Sequence, residues 1–213
     1  TFSSRGLGDV YKRQASAPSF DPNILSGRDY SKNYRNLQLD TLKPIYNRAL
    51  TATYPPGSMF KLIQALIGLE ENVVSKEDQI YVDLSRIGDL APAGIYDLNK
   101  AIVNSSNNYF HMLFRKLINQ KRDNNTFIDS RIGLDRWSEY VKKFGLGSDL
   151  DFDISNISSG FVPSSEYYDG FYGKGRWKFS NIYSLSIGQG ELLVTPIQMA
   201  NFASIIANRG YYY

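Results

Sequence analysis

A rigid break followed at once by an apolar segment constrains this chain more than any other feature. The Tyr54-Pro55-Pro56-Gly57 segment excludes regular helix before Ser58, because proline lacks an N–H and disfavours helix in the residue before it. Residues 58–70 are then apolar on nearly all sides, and serine is favoured at helix N-termini. The sequence therefore predicts a buried helix that begins at Ser58 and carries Lys61 in its first turn.

The spacing of Ser58 and Lys61 indicates a specific chemistry. Residues three apart on a helix share a face, so the hydroxyl and the amine lie one turn apart. Lysine acts as a base only when its pKa falls, and both burial and the positive end of the helix dipole lower it. The N–H of Ser58 is also free of an intrahelical partner and suits half of an oxyanion hole. The pattern predicts a serine nucleophile activated by lysine, although Ser-x-x-Lys alone also occurs by chance.

A second polar group, Ser105-Ser106-Asn107, stands between two predicted helices. The Ser105 hydroxyl is suited to pass protons between Lys61 and a leaving group, and the Asn107 amide to bind both the lysine and a substrate amide. The same tripeptide by itself is more often a helix cap or a turn. The sequence leaves both interpretations open at this point.

Composition excludes several other classes of function. With 213 residues, 42% of them hydrophobic and 21% charged, the chain is able to bury a core as one large domain or two small ones. A net charge of +3 without a dense basic run argues against nucleic acid as a partner. The absence of cysteine excludes disulfides and thiolate metal sites, and the one histidine, His111, is interpreted as a helix-face residue. We expect no metal or organic cofactor, and no apolar run is long enough for a membrane span.

The remaining pattern gives a coarse order of elements. Helices are predicted at 98–103 after Asp97, 109–118, 137–144 and 196–208 after Thr195. Residues 26–43 and 148–180 are predicted as loops, and 45–50 and 183–187 as short extended segments. Residues 1–14 differ in character from the rest of the chain and are interpreted as a non-native leader, a sequencing or vector scar.

Three segments in this order carry a family resemblance. They are YPPGSMFK, DLNKAIVNSSNNYF and SLSIGQGELLVTPIQMANFASIIANRGYYY. Together they resemble the transpeptidase domain of class B penicillin-binding proteins, of the elongation type known as penicillin-binding protein 2, in a form similar to that of Bacteroidetes-like bacteria. The resemblance spans about residues 15–213. It implies an α+β fold, shared with serine β-lactamases, in which helices pack on an antiparallel sheet.

The resemblance also implies a role for each motif residue. Ser58 matches the acylated nucleophile, Lys61 its general base, and Ser105 and Asn107 the second motif, with Ser58 and Asn107 in contact with substrate. The implied activity is a peptidoglycan D,D-transpeptidase. Such an enzyme attacks the D-Ala-D-Ala end of a stem peptide and passes the acyl group to an amine, and β-lactam antibiotics acylate the same serine as substrate mimics.

The family's third motif, Lys-Thr/Ser-Gly, is not found in this sequence. The Gly173-Lys174-Gly175 tripeptide lies in the wrong order and lacks the hydroxyl residue. We therefore expect residues 15–213 to be a partial domain with an incomplete sheet, inactive and poorly folded by itself. A cooperative thermal transition together with D-Ala release would contradict this expectation. For the parent protein, the resemblance implies a membrane anchor missing from this fragment, an inner-membrane location with the catalytic domain in the periplasm, and a glycosyltransferase of the elongation complex as partner.

Three alternative functions stay open on the sequence. A serine β-lactamase or β-lactam-sensing domain shares Ser-x-x-Lys, but we find no residue that would activate a deacylating water. A division-type transpeptidase is disfavoured by Tyr109-Phe110 after the second motif. A non-catalytic binding module would have no need of all four residues Ser58, Lys61, Ser105 and Asn107.

Overall fold

The computed structural model describes residues 15–150 and 156–211 and divides the chain into two compact units. One unit comprises residues 1–54, 149–159 and 195–213, and the other comprises residues 55–148 and 160–194. The predicted leader, residues 1–14, lies outside the described residues.

The first unit contains helix α1 (Tyr30–Leu39) and the last helix of the chain. The predicted loop at 26–43 is therefore wrong in its centre. Helix α1 buries none of its residues, so its sequence shows no apolar stripe, and the parallel stacking of Tyr30 on Tyr34 at 5.8 Å supports it locally instead. The extended segment predicted at 45–50 is also wrong, since these residues form turns.

The last helix of the chain has the start that the sequence predicts. Thr195 accepts a hydrogen bond from the N–H of Gln198, and the Gln198 side chain accepts one from the N–H of Thr195, which completes a capping box before Pro196. The helix runs over Pro196–Ala207 and ends one residue before the predicted limit. The N–H of Ile197 also donates to the carbonyl of Ala49 at 3.2 Å, which ties this helix to the N-terminal part of the same unit.

The second unit contains the remaining α-helices and the two strands of the described residues. They are helix α2 (Lys61–Glu70), strands β1 (Ile80–Val82) and β2 (Gly94–Tyr96), and helices α3 (Leu98–Val103), α4 (Asn107–Ile118), α5 (Thr126–Lys143), α6 (Ser165–Tyr172) and α7 (Phe179–Ile182). The two strands pair antiparallel with Ile80 opposite Tyr96, and the helix of the first unit at 196–207 is α8. This unit is helix-rich with a small antiparallel sheet, in agreement with the predicted fold class.

The core of the second unit is an aromatic and aliphatic cluster on α2, α4 and α5. Trp137 is buried, and its ring meets the edges of Phe60 and Phe114 at centroid distances of 5.7 and 5.4 Å. Its indole N–H donates to the side-chain carbonyl of Gln64 at 2.7 Å, so the polar atom is satisfied inside the core. This packing holds α2 beside the first turn of α4, where Lys61 and Asn107 meet.

Two segments of this unit differ from the prediction in length or type. Helix α5 begins at Thr126, well before the predicted helix at 137–144. The sequence did not indicate its first half, because the buried face there includes Asp129, Ser130 and Gly133 and lacks apolar periodicity. Residues 183–187 form a 3₁₀ helix and not an extended segment, and α6 occupies part of the predicted loop at 148–180. None of the helices in the described residues has the length and apolarity needed to cross a membrane.

Glycine at position 133 permits the close packing of α5 on the end of α4. A Cβ atom there would overlap the backbone carbonyl of Ile118, whereas one at Gly170 in α6 would meet nothing within 4 Å. We expect Gly133→Ala to lower the free energy of unfolding by about 1–3 kcal/mol through overpacking. The matched Gly170→Ala change should raise it by about 0.5–1 kcal/mol, because alanine is the better helix former. Urea denaturation of the whole protein measures both, and equal effects would contradict the packing argument.

Candidate active site

Ser58 lies in a short 3₁₀ turn (Gly57–Phe60) that leads into α2, and its side chain is exposed. The sequence predicts a helix that begins at Ser58, whereas α2 itself begins at Lys61, after the 3₁₀ turn, and its cap residue Phe60 makes no side-chain cap bond. The tighter turn starts the helix without a cap, and the backbone N–H of Lys61 bonds the carbonyl of Ser58. Within the described residues, the Ser58 hydroxyl therefore makes no hydrogen bond and stays available to a ligand.

The turn that carries Ser58 is held by a glycine pair. The N–H of Gly57 donates to the carbonyl of Gly188 at 2.8 Å, and both residues have positive φ, +59° and +70°. A Cβ at position 188 would lie 2.6 Å from the Cβ of Phe60 and would overlap the Gly57 carbonyl. Only glycine allows this approach, so the Ile187-Gly188-Gln189-Gly190 segment supports the turn.

Lys61 is buried, with 3% of its surface exposed, and its ammonium has three acceptors. Its Nζ donates to the Ser105 carbonyl at 2.5 Å, to the Ser105 hydroxyl at 3.1 Å and to Oδ1 of Asn107 at 2.6 Å. An ammonium has three donors, so these bonds satisfy it completely. The structure thus joins Lys61, Ser105 and Asn107 in one hydrogen-bonded group.

Burial of the Lys61 ammonium outweighs the contacts that favour its charged form. Burial lowers the pKa of Lys61 to about 8, and the negative charge of Asp89 opposes this shift in part. The ring of Phe110, 5.9 Å from Nζ, covers one side of the amine. A lysine with a pKa near 8 is neutral in a fraction of molecules at neutral pH, which a general base requires.

Ser105 takes a backbone conformation that is unusual for a residue with a side chain. Its φ is +50°, and α3 ends there in a Schellman motif, in which the N–H of Ser106 bonds the Ala101 carbonyl and that of Ser105 bonds the Ile102 carbonyl. The left-handed residue of this motif is usually glycine, and another residue there costs about 1–2 kcal/mol. The resulting reversal places both oxygens of Ser105 at the Lys61 amine.

Asn107 is the first residue of α4, and both ends of its side chain are engaged. Its Oδ1 accepts from Lys61, and its Nδ2 donates to the carbonyl of Gly88 at 2.7 Å. An amide NH₂ has two donors, so one N–H remains for a substrate acceptor. The predicted contact between Asn107 and the lysine is formed, while its contact with substrate stays a prediction.

Asp89 belongs to the site, although no motif in the sequence pointed to it. Its carboxylate accepts from the Ser106 hydroxyl at 2.9 Å and from the N–H of Asn108 at 2.8 Å. Burial raises the pKa of Asp89, but hydrogen bonds from the backbone N–H groups of Asn108, Ala91 and Asn107 outweigh it, and the pKa ends below its usual value. Asp89 ties its loop to the first turn of α4, 19 residues along the chain, and no local pattern marks it in the sequence.

Ser58 stands slightly apart from the three residues that the structure brings together. It precedes Lys61 by one turn on the same segment, but in the described residues no hydrogen bond joins its hydroxyl to the amine. Among residues 15–150 and 156–211, no group of three or more His, Cys, Asp or Glu residues is placed to hold a metal ion. The site therefore consists of an exposed hydroxyl, a buried amine of lowered pKa, a second hydroxyl and an amide.

Comparison with known families agrees with this geometry. Residues 12–213 match the family model described as penicillin binding protein transpeptidase domain. The chain belongs to this family. The roles of Ser58, Lys61, Ser105 and Asn107, which would distinguish an enzyme from a non-catalytic module of the same fold, stay predictions.

Peptidoglycan D,D-transpeptidases are among the similar proteins. The chain is 30% identical to peptidoglycan D,D-transpeptidase MrdA of Acinetobacter baumannii over 209 residues, which are 92% of this chain and 28% of that protein. It is also 30% identical to MrdA of Haemophilus influenzae over 205 residues, 92% of this chain and 29% of the relative. The chain thus spans less than a third of the length of these relatives. The Bacteroidetes-like detail stays a prediction.

Solved penicillin-binding proteins share the fold of this family member. Pseudomonas aeruginosa PBP2, in complex with WCK 5153, superposes with a TM-score of 0.74 at 30% identity over 93% of this chain and 44% of that one. A chain of a peptidoglycan synthase complex that coordinates polymerization and crosslinking superposes with a TM-score of 0.71 at 27% identity, over 91% of this chain and 32% of that one. Penicillin-binding protein A from M. tuberculosis, in an imipenem acyl-enzyme complex, superposes with a TM-score of 0.66 at 25% identity, over 91% of this chain and 42% of that one.

Proposed function

We propose that the whole protein is a peptidoglycan D,D-transpeptidase that works through an acyl-enzyme on Ser58. The observation that carries this proposal is the buried Lys61 amine, bonded to Ser105 and Asn107 one turn after an exposed serine, in a member of the penicillin-binding transpeptidase family. Its relatives of the MrdA type are peptidoglycan D,D-transpeptidases. The proposed substrates are accordingly stem peptides that end in D-Ala-D-Ala.

The first half of the reaction forms an ester. Neutral Lys61 takes the proton of the Ser58 hydroxyl, directly or through the Ser105 hydroxyl 3.1 Å away, as the Ser58 oxygen attacks the carbonyl of the D-Ala-D-Ala bond. The N–H of Ser58, in the first turn, donates to the oxyanion that develops. The C–N bond then breaks, the leaving D-alanine amine takes up the proton, and the acyl group remains on Ser58.

The second half of the reaction transfers the acyl group. An amine of a neighbouring strand attacks the ester and loses a proton to the Lys61–Ser105 pair, which returns it to the Ser58 oxygen as the ester bond breaks. The remaining N–H of Asn107 binds an amide oxygen of the peptide and keeps it in line with Ser58. β-Lactams present a strained amide to the same oxygen, and the imipenem acyl-enzyme of a 25% identical protein supports them as ligands of this site.

Ser105 offers a test of the proton path that is separate from folding. We expect Ser105→Gly to slow acylation by benzylpenicillin about a hundredfold, because the hydroxyl between Lys61 and the leaving group is lost. Glycine suits the left-handed backbone, so the free energy of unfolding should change by less than about 1 kcal/mol. Ser105→Ala should slow acylation equally, without relief of the backbone strain. Stopped-flow acylation and urea denaturation measure the two effects, and a wild-type rate in Ser105→Gly would remove Ser105 from the path.

Location and partners are part of the same proposal. A cell-wall cross-linking enzyme acts where peptidoglycan is assembled, so we place the catalytic domain in the periplasm with an anchor in the inner membrane. Similarity to one chain of a peptidoglycan synthase complex supports a glycosyltransferase of the elongation machinery as partner. Fractionation of cells that express the tagged whole protein tests the location, and co-purification tests the partner.

The activity itself is tested with a peptide substrate. The whole protein should release D-alanine from a stem pentapeptide that ends in D-Ala-D-Ala and should join the acyl group to an added amine acceptor. Nitrocefin is the control substrate for the alternative function. Rapid nitrocefin turnover without D-alanine release would indicate a β-lactamase and overturn the proposal. The absence of both activities would contradict the transpeptidase and the β-lactamase alike.

A further inference from the structure

A cavity of about 500 Å³ lies in the second unit, between the loop before Asp89 and helices α4, α5 and α7. Three cationic side chains line it, namely Arg86, Arg115 and Lys178, and no acidic side chain is among its described lining residues. All three side chains are exposed, so water screens their mutual repulsion, and an anion between them would reduce it further. The charge of this cavity therefore favours an anionic occupant.

The three cations have no salt-bridge partner within the described part of the chain. Arg115 lies over the ring of Phe179 at 5.9 Å, and Lys178 over that of Phe127 at 5.7 Å. Other arginines of the same unit do pair, as Arg131 does with Asp169 at 2.6 Å. Within the described residues the three cations of the cavity thus form no salt bridge, whereas Arg122, Arg131 and Arg136 do. Arg86 does act on a nearby carboxylate, since hydrogen bonds from Ser85 and then the charge of Arg86 lower the pKa of Asp83.

His111 adds a buried polar group to the same cavity. It lines the wall with only 8% of its surface exposed, and its Nδ1 is sealed from solvent without a hydrogen-bond partner in the described residues. Its ring packs edge-on against Phe179 at 5.1 Å. Burial, together with the charges of Arg86 and Arg115, lowers the pKa of His111, so the ring is held neutral at the edge of a cationic cavity. A buried nitrogen without a partner calls for an explanation, and a rotation of the ring that turns Nδ1 into the cavity would let an occupant supply that partner.

We propose that this cavity binds a phosphate-type oxyanion, either free phosphate or a phosphate monoester. A phosphate group carries about −1.5 to −2 charges and three strong acceptor oxygens, which match three cations and several polar donors better than a single carboxylate does. Thr126 and Ser180 add hydroxyl groups to the wall. The planar guanidinium groups of Arg86 and Arg115 are suited to bidentate contacts with such oxygens.

The surroundings leave room for a group attached to the phosphate. A neighbouring cleft of about 620 Å³ shares Arg86 and Arg115 with the cavity, and its lining also includes Lys116, Lys121, Asp123 and Asp129. The Asp129 carboxylate is already occupied by the backbone N–H groups of Lys121 and Arg122. A monoester would place its phosphate in the cavity and its organic part in this cleft.

The proposal does not depend on the transpeptidase function. Ser58, Lys61, Ser105 and Asn107 are not among the residues that line the cavity, although His111 follows Asn107 by one turn of α4. Loss of acylation in a catalytic variant would leave anion binding unchanged. Binding is therefore measured directly and not through activity.

The test uses the His111 ring as a reporter in the whole protein. With ¹³C-histidine labelling, the His111 resonance is assigned by its loss in His111→Gln and followed by NMR against pH. Inorganic phosphate and glycerol 3-phosphate should each move this resonance in a saturable way and raise the pKa of His111, because a nearby anion stabilises the imidazolium. Tighter binding of glycerol 3-phosphate would indicate a monoester as the source, and equal binding would indicate free phosphate. No saturable shift with either, or equal binding of acetate, would overturn the proposal.

Substitutions test whether phosphate binds in this cavity or elsewhere on the surface. We expect Arg115→Gln to weaken phosphate binding about tenfold or more, as the loss of a charge-assisted hydrogen bond implies. The matched control Arg28→Gln, at an exposed position in the other unit, should leave the dissociation constant within about twofold. Calorimetric titration measures both, and Lys178→Met serves as a second cavity variant if Arg115→Gln does not fold. Equal binding by wild type, control and cavity variants would place the anion elsewhere and refute the assignment.

Discussion

The Ser58→Ala variant of the whole protein is expected to form no covalent adduct with benzylpenicillin, whereas the unchanged protein acquires a single adduct. The Ser58 hydroxyl is exposed and free of hydrogen bonds in the described residues, and its oxygen is the atom that would form the ester. Its removal should lower the acylation rate by about 10⁴-fold or more, since a nucleophile has no substitute within its site. Intact mass spectrometry after incubation with the antibiotic measures the adduct.

A second exposed serine provides the control for this experiment. Ser31 lies in α1, also exposed, and Ser31→Ala should leave the adduct unchanged. An adduct of full yield on Ser58→Ala would show that another residue is acylated and would overturn the assigned nucleophile. The same measurement on residues 1–213 alone tests the expectation that this chain, without a Lys-Thr/Ser-Gly motif, is not acylated.

Lys61→Met is expected to slow acylation by about 10²–10⁴-fold, the usual contribution of a general base. In the unchanged protein, the rate should rise with pH about tenfold per unit below the Lys61 pKa of about 8 and level off above it. The sign follows from the role, because only the neutral amine accepts a proton, and the neutral form is populated as pH rises through the pKa. Stopped-flow acylation between about pH 6 and pH 10 would measure this profile.

A second, exposed lysine provides the control for the Lys61 experiment. Lys76 is exposed, and Lys76→Met removes the same charge without touching the site, so its rate and pH profile should match those of the unchanged protein. A rate that is flat across the pKa of Lys61, or that falls with rising pH, would show that Lys61 acts as a fixed cation and not as a base. Methionine keeps the length and apolar character of the buried stem, which limits the effect on folding.

Local chemistry made parts of the fold predictable. The capping box at Thr195 and the cap at Asp97 mark the starts of α8 and α3, since a side-chain oxygen that satisfies the first N–H groups depends on only a few neighbouring residues. The helix predicted at 109–118 agrees with α4 apart from its first two residues, and the structure buries its apolar face in the core. Helix α1 buries no residue and has no apolar stripe, so its sequence contains no periodic signal from which to predict it.

The sequence by itself determined which residues are able to carry the chemistry. The spacing of Ser58 and Lys61 follows from helix geometry, and the order of the three resembling segments points to the family that the family model then matches. Only the tertiary structure decided the state of these residues. The burial that lowers the Lys61 pKa, the left-handed Ser105 that turns its oxygens to the amine, and the Asp89 carboxylate that braces Asn108 all join segments distant along the chain. Such contacts depend on how α2 and α4 pack around Trp137, and no local sequence pattern specifies that packing.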